Sequence, residues 1–395
     1  MPQTIAYRVG TYRPADPERT WERVQPVLPK VGISRVADIT RLDDIGLPVH
    51  VAYRPTSLTY AVSIGTGLTA AQSKVSAVME SIETWHAENL ELPIAARAPA
   101  AALDLGYDVR SLHLAHRSPL TSSVVLDWVS GPGLLTGQEL LAPIDYIRLD
   151  GTAPRHWARA LFFPTSNGMA TGNTAADAVL HGLLELIERD SVAGFQAAAP
   201  STRRYVDPAS CGDPRTRQIY EALRSAGCVI AVGDATGPVG LPAYAAVVWS
   251  PDVPIRCGGY GCHVDPAIAL GRAMAEAAQS RLAVVSGARD DVDAGAYEEV
   301  RRPAVPAELA SVGDRPAAAD DGDLESVIAH CAAKVAAVTG VEPFAVRLDH
   351  EDIGIPAVKV LAPGLRMIDA HRSSPASSSS VAPPTPAEAA AGAAS

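Results

Sequence analysis

Cysteine is scarce in this sequence, and the five present are an odd number at scattered positions: Cys211, Cys228, Cys257, Cys262 and Cys331. That excludes a disulfide framework and reads as reduced thiols. Cys257 and Cys262 have no second ligand pair at zinc spacing, so a zinc site is not expected. Basic charge is also short, with 33 Lys and Arg against 44 Asp and Glu and a net charge of −11. A chain of that sign does not bind nucleic acid or an anionic membrane as a whole, although a local basic groove for an acidic peptide is compatible with it. The N-terminal stretch has no basic segment followed by an apolar run, so no signal peptide is read. No apolar stretch approaches the length of a membrane span. A cytoplasmic protein with no membrane part is expected. What is plentiful is apolar surface: 395 residues that are 47% hydrophobic can build a large core.

Helices and strands alternate along the chain, which predicts an α/β or α+β protein. A short helix is read around Pro17–Pro26. Strands are read over Val31–Thr40, Pro48–Arg54, Tyr60–Ile64, Leu126–Val129 and Leu140–Tyr146. Long helices are expected from Thr69 to Leu92, capped by Thr69, and from Ala175 to Ala199, capped by Asn173 or Thr174. A third runs from Ala267 to Ser286 behind Asp265-Pro266. The helix Arg215–Ala226, the strands Val229–Asp234 and Leu241–Trp249, the helix Leu324–Thr339 and the strands Glu342–Leu348 and Gly354–Val360 complete the reading. Gly65-Thr66-Gly67 and Cys257–His263 read as glycine-containing turns, and neither matches a P-loop or dinucleotide fingerprint. Residues 303–323 read as an exposed loop. From Ser373 the Ser/Pro/Ala composition predicts disorder.

One pattern occurs three times: Ser76-x-x-x-Glu80-x-x-Glu83, Glu185-x-x-Glu188-Arg189-Asp190, and Glu276-x-x-Gln279-x-Arg281. Side chains three apart on a helix share a face. Each long helix therefore offers a pair of oxygen donors in an apolar setting. Carboxylates are costly to bury unless they bind metal or pair with cations. Four that converge suit Mg²⁺ shared with phosphate oxygens, and Arg189 and Arg281 are the cations at hand. One such pair alone is an ordinary helix surface; three, each behind a glycine-containing loop, point to nucleotide chemistry. A di-iron reading of Glu80-x-x-Glu83-x-x-His86 fails, because Glu188 is followed three residues on by Ser191. Cys262-His263 is not read as a nucleophile–base pair, since adjacent residues rarely face each other.

Together these segments resemble the YcaO-domain family. The resemblance rests on Gly32 to Thr40, Ser73 to Glu83, Ser166-Asn167-Gly168 through Asp190, Glu276 to Arg281, and Gly354-Ile355-Pro356. It implies a YcaO-type fold of mixed sheets with long acidic helices around a Mg²⁺–ATP site, over residues 31–371. Residues 1–30 would be an N-terminal extension and residues 372–395 a disordered tail. It also implies roles: Glu80, Glu83, Glu185 and Glu188 for Mg²⁺, and Ser76, Glu80, Arg189, Glu276, Gln279 and Arg281 for ATP.

The implied chemistry is phosphorylation of a peptide backbone amide oxygen, which converts a poor leaving group into a good one. No protein nucleophile is needed for this. Addition of sulfide to the amide carbon would yield a thioamide, the first expectation. Addition of a neighbouring Cys, Ser or Thr side chain would yield an azoline, and addition of the peptide's amine an amidine. Several departures qualify the match. Thr66 stands where many members have Lys, and Thr84 where many have Arg. The tail has only Pro383-Pro384-Thr385-Pro386, and there is little room for a fused peptide-binding domain. The substrate is then a ribosomally made precursor peptide, and a separate TfuA-like or leader-peptide-binding partner is implied. A homodimer is left open. The alternative from another class is a non-catalytic YcaO-like scaffold.

Overall fold

The computed structural model describes residues 6–8, 11–151, 160–288, 302–312 and 323–367. The expected tail from residue 372 lies outside them. The chain opens with the hairpin β1 (Ala6–Arg8) and β2 (Thr11–Arg13) and the helix α1 (Pro17–Val24). A first three-stranded sheet follows: β3 (Arg35–Asp38), β4 (Val49–Tyr53) and β5 (Val62–Thr66), in that order. Three residues separate β5 from helix α2 (Ala70–Glu88). A second sheet is formed by β6 (Ala96–Pro99), β7 (Val125–Pro132) and β8 (Glu139–Pro143), with the short α3 (Ile144–Ile147) behind it.

Strand β9 (Met169–Thr171) leads into α4 (Ala175–Ala197). Then come β10 (Arg204–Asp207), α5 (Pro214–Ser225), β11 (Val229–Asp234), β12 (Ala243–Trp249) and β13 (Cys257–Cys262). Helix α6 (Pro266–Val285), β14 (Ala310–Ser311), α7 (Leu324–Thr339), β15 (Phe344–Arg347) and β16 (Ala357–Leu361) complete the order. Strands β13-β12-β11-β10-β14 make one sheet and β15-β16-β9 another. All pairings of these strands are antiparallel except β10 with β14. The fold is thus α+β, within the class expected.

The long helices start where the sequence predicts, because each has a side chain that satisfies a first-turn N–H. Thr69 accepts from Gln72 N at 3.2 Å, Thr174 from Asp177 N at 3.1 Å, and Asp265 from Ala267 N at 2.8 Å. Three expectations need correction. Cys257–Cys262 is a full strand, not a turn, and Gly65-Thr66 also lies in a strand. The glycines serve close approach rather than bending: a Cβ on Gly259 would lie 2.1 Å from Ala277 N on α6, and one on Gly65 2.1 Å from Ala77 N on α2. Leu140–Tyr146 also divides, with the strand ending at Pro143 and α3 following, since Pro143 cannot extend a ladder.

The largest apolar cluster packs α4 against α7, β16 and the start of β12, through Leu183, Ile187, Ala332, Val335 and Val360. A second surrounds Trp128 and Phe344 where β7 meets β15. The N-terminal segment is tied into this body. Val24 and Val27 pack on Ala77, Val78 and Ile82 of α2, and Lys74 Nζ sits 3.4 Å from the Trp21 ring centroid.

Candidate functional site

Three sheets each end in one strand that faces the middle of the molecule: β5, β9 and β13. Three helices alternate with them. Helix α2 packs on β5 and β9, α4 on β9 and β13, and α6 on β13 and β5, so the six elements close a ring. Inside it lies a cavity of about 490 Å³. An edge strand has main-chain N–H groups with no strand partner. Here the helix carboxylates take them. Ile64 N–H donates to Glu80, Thr171 N–H to Glu83 and Cys262 N–H to Glu188. Gly168 N donates to Glu185 Oε2 at 3.0 Å and Tyr260 N to Glu276 Oε2 at 3.1 Å. Each carboxylate is thereby aimed by one bond, with acceptor capacity left for the cavity.

The enclosure has an electrostatic cost. Burial raises the Glu80 carboxyl to about 8, against the N–H of Ile64, and the charges of Glu276 and Glu185 add to it. Glu276 is raised to about 7 by burial and by Glu188, with Arg189 opposing. Glu83 is raised by burial and by Glu185 and Glu80. Glu188 is raised by burial, with Arg189 and Arg272 opposing. Burial opposes the charge on Arg189, but Glu188, Glu185, Glu276 and Tyr260 outweigh it and keep the guanidinium protonated. Arg189 lies 3.4 Å from Glu185 and 3.9 Å from Glu188.

Eight of the nine residues expected at the site line this cavity: Ser76, Glu80, Glu83, Glu185, Glu188, Arg189, Glu276 and Gln279. Arg281 does not. Five residues beyond Glu276 on a helix, it points away from the face that carries Glu276 and Gln279. It is buried, paired with Asp252 at 2.6 Å and with Asp43 at 3.5 Å, where it joins two loops. Sequence reasoning missed three cations, among them Arg215 on α5, which lines the cavity. Arg272 lines the cavity one turn before Glu276, and its signal was the shared helix face. Lys359 is fully buried in β16, donates to Thr165 O at 2.8 Å, and is lowered to about 8 by burial against the pull of Glu185 and Glu83. A lone Lys in the apolar run Ala357–Leu361 was its signal. The N-terminal helix was read from the sequence, but its place at the site was not: Pro17 and Thr20 reach the cavity. Thr20 Oγ1 donates to Asn173 Oδ1 at 3.0 Å, and Arg23 donates to Asn173 O and Gly354 O, both at 2.6 Å.

A family model described as YcaO cyclodehydratase, ATP- and Mg²⁺-binding, matches residues 64–366. The chain belongs to the YcaO family. ATP and Mg²⁺ are the cofactors of this domain, as expected. An uncharacterised protein of Mycobacterium tuberculosis is 38% identical to this YcaO protein over 373 residues, 92% of this chain and 84% of the relative. A Rhizobium leguminosarum bv. trifolii protein, described as lying in the tfuA 3′ region, is 33% identical over 384 residues, 90% of this chain and 89% of the relative. Among solved structures, a heterocyclase in complex with substrate and cofactor matches with TM-score 0.74 and 23% identity over 90% of this chain. This chain spans about half, 53%, of that heterocyclase. YcaO from Methanopyrus kandleri, bound with AMPPCP and Mg²⁺, matches with TM-score 0.71 and 22% identity, over 92% of this chain and 94% of that one. At these identities the solved structures establish the fold. Among the described residues no helix is long and apolar enough to cross a membrane, and all five cysteines are buried free thiols.

The donor set fits the family's cofactors. The five carboxylates are hard oxygen ligands. Among the described residues they do not gather as a cage of three around one point; they are spread around the cavity wall. Mg²⁺ is commonly held by one or two carboxylates and completed by substrate phosphates, and a spread set suits that arrangement. The raised carboxyls mark a cavity short of positive charge, which divalent cations would supply.

Proposed function

We propose that this YcaO protein is an ATP- and Mg²⁺-dependent enzyme that activates a backbone amide of a ribosomally made precursor peptide, with a thioamide as product. The observation that carries the reading is the ring of strand-held carboxylates around one cavity. Glu80, Glu83, Glu185 and Glu188 are the Mg²⁺ ligands in this reading. Ser76, Glu80, Arg189, Glu276 and Gln279 contact the nucleotide. Arg281, bound to Asp43 and Asp252, holds the loops behind α6 instead.

Bound Mg²⁺–ATP supplies the phosphoryl group and the charge that eases its transfer. The chain's own residues position and enclose. The N–H bonds from β5, β9 and β13 fix the direction of each carboxylate, so little reorganisation is left for the reaction. Arg189, tied to Glu185 and Glu188, keeps a positive charge at the wall. Cys262 is not set up as a nucleophile: burial, together with the Glu188 charge, raises its thiol well above its usual range. Activation places phosphate on the amide oxygen. A nucleophile adds to the amide carbon, and phosphate leaves with the former carbonyl oxygen.

The thioamide product and a TfuA-like partner protein are supported by the relative described in the tfuA 3′ region. The likeness to a heterocyclase favours azoline formation as the second reading. Mass spectrometry of the candidate precursor peptide, after incubation with enzyme, ATP, Mg²⁺, sulfide and the partner, separates the two. Exchange of one oxygen for sulfur is the expected result. Loss of one water without sulfide would replace the thioamide by an azoline or amidine. An unchanged peptide with no ADP formed would overturn the enzymatic reading.

A further inference from the structure

Residues 55–61 join β4 to β5, and a buried ion pair outside the carboxylate ring holds them. Arg54, just past β4, and Glu88, the last residue of α2, pair with side chains only 2% and 1% exposed. The guanidinium engages both carboxylate oxygens, and its Nη2 also donates to Thr84 Oγ1 at 2.9 Å. Glu88 Oε1 accepts further from Ser57 Oγ at 2.8 Å, Thr59 N at 3.1 Å and Thr59 Oγ1 at 2.6 Å. Arg54 N donates to Ala61 O at 2.7 Å and closes the base of the loop, while Gly151 N donates to Leu58 O at 2.9 Å. A buried ion pair adds little net stability, because desolvation offsets its attraction; what it does well is fix one arrangement. The arrangement fixed here faces outward. Leu58 and Tyr60 are 40% and 65% exposed, and Tyr60 also lines the cavity, as does Thr84. A loop held rigid from within while it presents large apolar side chains to solvent has the makings of a binding surface. A nucleotide base would sit inside the cavity, not on a tyrosine that stands mostly in solvent. An extended peptide needs the rim, because the residues flanking an amide brought into the cavity must cross its wall. Tyrosine offers such a chain a broad amphipathic face at small entropic cost.

We propose that residues 55–61 form a shelf for the precursor peptide, with Tyr60 contacting the residues beside the modified amide. Arg54, Glu88, Ser57 and Thr59 are positioning residues: they hold the shelf in its binding form before the peptide arrives, which lowers the ordering cost of binding. This shelf rests on the amide-activating reading and places the point at which the peptide enters the cavity.

The test measures binding of the fluorescently labelled candidate precursor peptide to the full chain, with Mg²⁺ and a non-hydrolysable ATP analogue present. Tyr60→Ala is expected to weaken the peptide about 10-fold or more, the scale of an aromatic anchor. Tyr60→Phe keeps the face and is expected to stay within about threefold, the scale of an ordinary surface change. The double variant Ser57→Ala with Thr59→Ala loosens the shelf and leaves the ion pair in place. Its KM for the peptide is expected to rise about 3- to 10-fold with kcat held, the pattern of lost uniform binding. Affinity for the ATP analogue, measured by calorimetry, and melting temperature are expected to hold in all three, since Tyr60 is exposed and the carboxylates are untouched. Unchanged peptide affinity in Tyr60→Ala would overturn the shelf. A parallel loss of the ATP analogue would make Tyr60 a nucleotide contact instead, and loss of partner-protein association with peptide binding intact would make the loop a protein-docking site. If the wild type binds the ATP analogue but not the peptide, the peptide reading falls and the shelf with it.

Discussion

A carboxyl group enclosed by protein and held by one strand N–H is costly when charged and reactive toward cations for that same reason. Glu188 shows both sides. Glu188→Gln keeps the shape and removes the charge, so ATP turnover is expected to fall at least about 100-fold, the scale of a lost electrostatic contact in an active site. The melting temperature of the free protein is expected to hold or rise, because a raised carboxyl is one that the fold prefers neutral. ADP release and a thermal melt check the pair of outcomes; full activity would remove Glu188 from the site. Glu80 and Glu276, at about 8 and about 7, are largely or partly protonated in the free cavity at neutral pH. Cations and nucleotide that engage their charged forms must displace those protons. Net proton release on Mg²⁺–nucleotide binding is therefore expected, with affinity rising as pH increases through neutrality. Calorimetry in buffers of different ionisation enthalpy measures it, and proton uptake would contradict the geometry. The carboxylates were legible in the sequence because a spacing of three on a helix fixes their common face. Arg272 was not, since one Arg on a helix is ordinary surface until the ring closes around it. Lys359 was visible only as a misfit in an apolar strand.

Among the secondary-structure elements, the long helices were easy to read because capping residues and periodic apolar positions agree on their limits. Strand β13 was not. Its sequence, Cys257-Gly258-Gly259-Tyr260-Gly261-Cys262, has the composition of a turn, and glycine carries no strand preference of its own. Its glycines answer to the backbone of the helix that follows, α6, whose close packing on the strand is a tertiary contact that composition does not contain. Gly65 stands in the same relation to α2. Gly259→Ala and Gly65→Ala are each expected to cost about 3 kcal/mol, because a Cβ there forces strand and helix apart. Nucleotide affinity should fall as well, since Tyr260 N–H and Ile64 N–H would no longer aim Glu276 and Glu80. Gly46→Ala is the control. Gly46 has φ +75° with open space around it, so only the backbone penalty of about 1 kcal/mol remains. Denaturant unfolding of the three variants decides the matter, and equal costs would mean that close approach plays no special part.

Across the whole molecule, the site exists only because three sheets end in the middle. Each long helix bonds first to the strand that precedes it, as Glu80 does to β5, Glu185 to Gly168 before β9, and Glu276 to β13. It then bonds to the next strand of the ring, as Glu83 does to β9 and Glu188 to β13. Gln279 holds the sixth place, the one neutral member, and makes no such bond among the described residues. The recurrence of loop, cap and acidic helix was visible in the sequence, but its cyclic closure was not, because the lengths between the units differ and the sheets are assembled from distant segments. The ring concentrates acid at its centre, and that sets the pH response of the whole fold. Glu80 and Glu276 lie near 8 and 7 when folded, against 4.5 for the free side chain. Between those limits the folded state binds more protons than the unfolded one, so stability falls as pH rises. The contribution of these carboxyls is present in full below about 4.5 and lost as pH passes through about 7 and 8. The melting temperature of the free protein is therefore expected to drop by several degrees from mildly acidic to mildly alkaline buffer, and Mg²⁺ with an ATP analogue should flatten the slope by favouring the charged forms. A thermal scan against pH, with and without these ligands, tests it. A free protein that gains stability toward alkaline pH would mean that the carboxylates reach the solvent instead of facing one another across a closed ring.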